Sequence, residues 1–243
     1  MKVDVLLLPS YATPESFAGR SVVVFDVLRA TTTMTAALAA GVREIRVFPD
    51  TAVVRKTAGE IGHNPAPLLC GEEKCLAPAG FDLGNSPGAF SQEYAGRTVF
   101  MSTTNGTRAI LAAQDAAQLF VGALVNASAV AAVLADVGLD VTLLCAGTNG
   151  RVAIEDVIGA GAVLSALNRE IATVPGSDTA RMAIRLFESS RNDLRGALAE
   201  GDGGRNVIAA GLGEDIEFAA NVDRFTGVVG QVEGRTVRAR PLG

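Results

Sequence analysis

The stretch VVVFDVLRATTTMTAAL, residues 22–38, changes character in its middle. Residues 22–27 form an apolar run interrupted only by Asp26, the length and composition of a strand buried on both faces. From residue 33 to 40 the chain turns rich in alanine and reads as a helix. A strand, a hydroxyl-rich turn and a helix in direct succession are the unit of an α/β fold.

The unit recurs. Residues 3–8, 99–101 and 141–145 read as further strands, with a short one at 45–47, and residues 109–118, 127–137 and 153–169 read as helices. Residues 176–196 have an amphipathic helical pattern, another helix is expected near 206–212, and the tail from residue 225 reads as a strand or hairpin. The expected fold is layered α/β/α around a largely parallel or mixed sheet, one unit over residues 1–243. Two similar lobes are the variant that an internal repeat would produce.

Such a repeat is present: Thr-Asn-Gly-x-x-Ala-Ile starts at Thr104 and again at Thr148. Each copy lies between an expected strand and an expected helix. The first N–H groups of a helix lack internal partners and carry partial positive charge, so an anion is welcome there. Thr103, Thr104, Asn105 and Gly106 in the first copy, Asn149 in the second, and Thr31 and Thr32 after the first quoted strand are therefore candidate phosphate holders. Arg29, Arg108 and Arg151 would add full charge. Convergence requires all three strand ends to lie on one edge of a parallel sheet. For any single junction, ordinary helix capping explains the same residues.

The second copy continues into Glu155 and Asp156, where the first has apolar residues. These acids either complement a helix dipole or join Asp26 in holding Mg²⁺, a hard cation suited to carboxylates and phosphate. Asp26 could alternatively be a nucleophile. Cys145 and Arg151 have the Cys-x5-Arg spacing of a phosphate-wrapping cysteine nucleophile, so a metal-independent mechanism through Cys145 is the competing reading. A phosphate-ester binding protein without catalysis is a third.

Other classes are excluded by composition and motif. The 243 residues are 49% hydrophobic and 19% charged with a net charge of -5, which fits a globular chain without the basic stripe of a nucleic-acid binder. No segment reads as a signal or membrane anchor, so a cytoplasmic protein is expected, and Ala/Gly-rich helices make a homodimer plausible. Cys70, Cys75 and Cys145 do not form a disulfide framework, and zinc would need His63 as well. No phosphate loop or dinucleotide fingerprint is present. Residues 62–90 show no sustained period and suggest a lid-like loop.

DVLRATTT (26–33), GE (71–72), GFDLGNSP (80–87), STTNGTRA (102–109), CAGTNGR (145–151) and ED (155–156), with looser agreement at GR (204–205) and Asp215, closely resemble the 2-phosphosulfolactate phosphatase family. The resemblance implies a Mg²⁺-dependent hydrolase that converts 2-phospho-3-sulfolactate, or a related phosphorylated 2-hydroxy acid, to the hydroxy acid on a route to coenzyme M. It also implies that Asp82, Asn85 and Ser86 join the site from the lid; as bare residues they also suit a turn.

Overall fold

The computed structural model describes residues 1–60 and 65–241. His63, the residue a zinc site would have needed, lies outside them, as do the first residues of the 62–90 segment.

In chain order the elements are β1 (Lys2–Leu6), β2 (Ser21–Phe25), α1 (Ala30–Ala39), β3 (Glu44–Val47), α2 (Thr51–Glu60), β4 (Leu68–Gly71), β5 (Thr98–Ser102), α3 (Gly106–Ala112), β6 (Gln118–Gly122), α4 (Ala127–Val137) and β7 (Val141–Cys145). They continue with α5 (Ile154–Glu170), β8 (Val174–Pro175), α6 (Asp178–Ser190), α7 (Leu194–Glu200), α8 (Asp202–Ala209), α9 (Gly213–Ala219), β9 (Gly230–Glu233) and β10 (Thr236–Ala239). Among the described residues the strands make one sheet in the order β4-β5-β3-β10-β9-β6-β2-β7-β1-β8.

Two parallel blocks compose that sheet. β4, β5 and β3 are parallel to one another, and so are β6, β2, β7, β1 and β8. The C-terminal hairpin β9–β10 joins them through antiparallel pairings on every side. Three antiparallel steps reverse direction between the blocks, so β5 runs opposite to β2 and β7. The expectation that three strand ends share one edge of a parallel sheet is thus corrected.

Strand alternation shows how the ends nevertheless meet. In β5, Val99 and Met101 pack with α1 and α3, while Phe100 turns to the other face beside Phe48 and Val54. In β2, Val22 and Val24 face the same α1/α3 cluster, and Val23 and Phe25 face α4, α5 and α6. Both blocks therefore look onto α1 and α3 from opposite sides. Helix α1 is accordingly buried all round, from Ala30 through Leu38, which explains its lack of a polar face. Each fully buried side chain such as Phe25 or Met34 contributes about 1.5–3 kcal/mol. A flat sheet would hold β5 and β7 about 29 Å apart, yet the Asn149 N–H donates to Asn105 Oδ1 at 3.3 Å across the loops that follow them. The sheet must curl around α1.

The sequence reading needs four further corrections. The helix expected over 109–118 stops at Ala112, and Gln118 opens β6. Leu119, Phe120 and Val121 favour a strand, and a Cβ at Gly122 would come within 2.6 Å of Val23, so only glycine lets β6 lie against β2 there. The lid-like segment contains strand β4. The helix expected over 176–196 divides into α6 and α7, where Asp193 caps the Gly196 N–H at 2.9 Å. The helix expected at 206–212 begins earlier, at Asp202. No described helix is long and apolar enough to cross a membrane.

Candidate active site

Asp26 follows β2 directly and is 6% exposed. The Ala30 N–H at the start of α1 donates to its Oδ1 at 3.2 Å, and the Asp26 N–H donates to Thr31 Oγ1 at 3.0 Å. Thr32 Oγ1 donates to the Val27 carbonyl at 2.8 Å. Both threonine hydroxyls are thus spent on folding the turn and do not reach the cleft. A Cβ on Gly106, the first residue of α3, would sit 2.7 Å from Asp26 Oδ2 and 2.6 Å from Ala30 Cβ. Glycine is what lets two helix starts close on one carboxylate. The anion they receive is the protein's own.

Burial pushes Asp26 up to about 6, against the main-chain N–H groups of Ala30 and Gly106, which favour the carboxylate, while the Glu72 charge adds to the rise. Glu155, in the first turn of α5, is 1% exposed and its Oε2 has no hydrogen-bond partner. Burial raises it to about 7, and the charges of Asp26 and Asp202 add to the rise. A Cβ on Gly203 of α8 would collide with Glu155 Oε1, so α8 lies directly over this carboxylate. Asp156 is placed differently. Its Oδ1 accepts from the Val27 N–H at 2.8 Å and its Oδ2 from the Gly147 N–H at 2.9 Å, tying the ends of β2 and β7 together. Burial, with Glu155 and Asp26 nearby, holds it well above the usual carboxylate range.

Arg29 is a buried junction. Its guanidinium donates to Asp215 Oδ2 at 2.6 Å, to Ser86 Oγ at 3.1 Å and to the Cys75 carbonyl at 2.5 Å. Ser86 Oγ donates to the same Asp215 oxygen at 2.8 Å. Asn85 is buried beside this junction with its Oδ1 unpartnered. Asp82 lies apart, accepting from the Leu69 N–H at 2.7 Å and bracing β4. Glu72 accepts from the Thr104 N–H at 2.8 Å and the Cys75 N–H at 2.9 Å, linking the lid-like segment to the first Thr-Asn-Gly turn.

The two turns are not built alike. In the first, Thr103 Oγ1 caps the Thr107 N–H at 3.1 Å and helix α3 starts at Gly106. In the second, Thr148 and Arg151 exchange main-chain hydrogen bonds at 2.8 and 3.0 Å around Asn149 and Gly150, whose φ angles are 52° and 75°. That is an Asn-Gly reverse turn, and α5 begins only at Ile154. Arg108 is exposed, and Arg151 is 78% exposed with Asp202 at 3.5 Å. Neither arginine lines the cleft.

The cleft itself encloses ≈ 520 Å³. Asp26, Arg29, Asn85, Thr104, Asn105 and Asn149 line it, as the sequence suggested; Glu72, Lys74, Thr148 and Asn206 also do, and sequence reasoning had not placed them. The Glu72 signal was available in the GE pair at 71–72, whereas nothing in the sequence points to Asn206. Cys145 is removed from the chemistry. Its side chain is 0% exposed within the apolar cluster containing Phe25 and Ile158, and burial together with Asp156 and Glu155 holds the thiol protonated. A thiolate nucleophile at Cys145 is therefore overturned.

No three His, Cys, Asp or Glu side chains form a ready metal cluster among the described residues. Mg²⁺ does not require one, since it is commonly held by one or two carboxylates together with substrate phosphate. Asp26 on the cleft lining and the buried Glu155 behind it, whose Oε2 is unpartnered, are the two carboxylates that could supply such a pair. This donor set fits a hard cation.

Three relatives span nearly the whole chain. Proteins named probable 2-phosphosulfolactate phosphatase from Carboxydothermus hydrogenoformans, Thermotoga petrophila and Pseudothermotoga lettingae are 37%, 36% and 35% identical to it, over 92%, 96% and 98% of this chain and 90%, 96% and 100% of theirs. The 2-phosphosulpholactate phosphatase family profile matches residues 7–234. With these similarities added to an α/β cleft lined by the buried Asp26, the chain belongs to the 2-phosphosulpholactate phosphatase family of phosphoric monoester hydrolases.

Proposed function

We propose that this protein hydrolyses the phosphate monoester of a 2-hydroxy acid, including the 2-phosphosulfolactate of its relatives' names, using Mg²⁺ held by Asp26 and Glu155. The observation that carries the reading is the Asp26–Glu155 pair: two buried acids, one with a free oxygen, beside a cleft lined by Asn105 and Asn149. When bound there, Mg²⁺ would act as a Lewis acid and draw charge from the phosphoryl oxygens.

The protein's own groups have distinct tasks. As a ligand of the cation Asp26 would act in its carboxylate form, and a water attacks phosphorus. The P–O ester bond breaks as the bond from water oxygen to phosphorus forms, and the proton that the water gives up passes to the departing alkoxide, giving the hydroxy acid and inorganic phosphate. Asn105 and Asn149, fixed to each other across the two turns, orient the phosphoryl group. Arg29, held by Asp215 and Ser86, and the Asn85 amide meet the remainder of the substrate.

Phosphate release from 2-phospho-3-sulfolactate tests the reading. Turnover is expected with Mg²⁺, loss with EDTA, and recovery on adding excess Mg²⁺. Release that persists in EDTA, or no release under any of these conditions, contradicts it.

A further inference from the structure

We propose that Asp156 is a positioning residue of the hydrolysis and not a ligand of the cation, an inference that rests on the phosphatase reading above. The β2–β7 ladder closes where the Ala146 N–H donates to the Phe25 carbonyl at 2.8 Å. Beyond that rung the two chains part, one toward the start of α1 and the other into the turn at 148–151. Each leaves a main-chain donor without a strand partner, the Val27 N–H on one side and the Gly147 N–H on the other. The Asp156 carboxylate, in the first turn of α5, accepts both, at 2.8 and 2.9 Å.

The tie matters because of what stands next to each donor. Val27 follows Asp26, and Gly147 precedes Thr148 and Asn149; Asp26, Thr148 and Asn149 line the cleft, whereas Asp156 is buried and does not. Asp26 has its own support from the Ala30 N–H and from Thr31. The second turn has less. Its Thr148–Arg151 main-chain pair closes the turn on itself, and the Asn149 N–H reaches Asn105 only at 3.3 Å. Gly147, at φ 72°, bends the chain into this turn where a Cβ would collide with Leu8 and the Arg151 carbonyl. Asp156 therefore sets where the Asn149 turn stands relative to Asp26. With both oxygens engaged by main-chain donors, it acts through these two segments and touches neither phosphate nor cation.

The test is a double-mutant cycle of Asp156→Asn and Asn149→Ala in the full chain, with Mg²⁺ and 2-phospho-3-sulfolactate, reading kcat and KM beside Mg²⁺ affinity by calorimetry. An asparagine keeps the size but has one acceptor, so it releases one of the two donors. Asp156→Asn is expected to lower kcat about thirtyfold, with Mg²⁺ affinity within about threefold of native. In the Asn149→Ala background the same change should cost no more than about threefold, because the group that Asp156 aligns with Asp26 is already gone. Should Asp156→Asn not melt cooperatively, Asp156→Glu, which keeps both acceptors on a longer arm, reads the same coupling. Loss of Mg²⁺ binding on changing Asp156, an unchanged kcat, or an equal cost with and without Asn149 overturns the inference while leaving the phosphatase reading intact. Absence of turnover in the native chain overturns both.

Discussion

The two Thr-Asn-Gly turns share a sequence and differ in use. At 104–106 the phrase opens helix α3, and the Gly106 position closes on Asp26. At 148–150 it makes a reverse turn with two left-handed residues, and a Cβ on Gly150 would meet nothing within 4 Å. One glycine is demanded by a neighbour and the other by backbone angle. The comparison teaches that a repeated motif can keep its residues while exchanging a steric requirement for a conformational one.

The largest effect should come from the group both helix starts address. Asp26→Asn keeps the shape and removes the charge, and should lower turnover about a thousandfold. Thermal melting should change little, because removal of a buried charge is offset by an amide nitrogen that cannot accept from the Ala30 or Gly106 N–H. Gly106→Ala ranks next: the collision with Ala30 and Asp26 should cost about 1–3 kcal/mol of stability and about a hundredfold in kcat/KM. Denaturant melts and phosphate release would read both.

The acids also predict a pH dependence. Burial raises Asp26 from 3.8 to about 6 and Glu155 from 4.5 to about 7, so the folded chain binds more protons than the unfolded one across that interval. Their stability contribution is fully present below about pH 4 and is lost as pH rises through 6 and 7. Without divalent cations, the fall in melting temperature from pH 5 to pH 8 should be smaller in Glu155→Gln than in the native chain. Gly150→Ala should cost about 1–2 kcal/mol through its positive φ, with kcat/KM little changed, in contrast to Gly106→Ala. Arg151→Ala should be smallest, under about 1 kcal/mol, because its pairing with Asp202 is at the surface.

The strands and some of the residues that line the cleft were legible before their geometry. Val22 to Phe25 and Val141 to Cys145 announce buried strands by composition alone, and Asp26, Asn105, Asn149 and Glu155 stand where strand–turn–helix units place ligand residues. Sheet reversal was not legible, because hairpin β9–β10 sets it through pairings with β3 and β6 far away in the chain. Side-chain direction was also hidden. Thr31 and Thr32 turn inward to satisfy the bend, Asp156 binds two main-chain amides, and Arg108 and Arg151 are exposed and do not line the cleft; each outcome depends on neighbours brought by tertiary packing. Helix α4 lies at the expected 127–137, whereas strand β6 just before it was missed because its apolar residues continue without a break into the apolar helix.

The central claim is that Asp26 and Glu155 together form a cation site. Titrating Mg²⁺ into the native chain near pH 6.5, with proton release followed in buffers of different ionisation enthalpy, addresses it directly. Binding with release of part of a proton per ion is predicted, with weaker binding and less release in Glu155→Gln. No binding by the native chain, or identical affinity and proton release in the variant, would contradict the account.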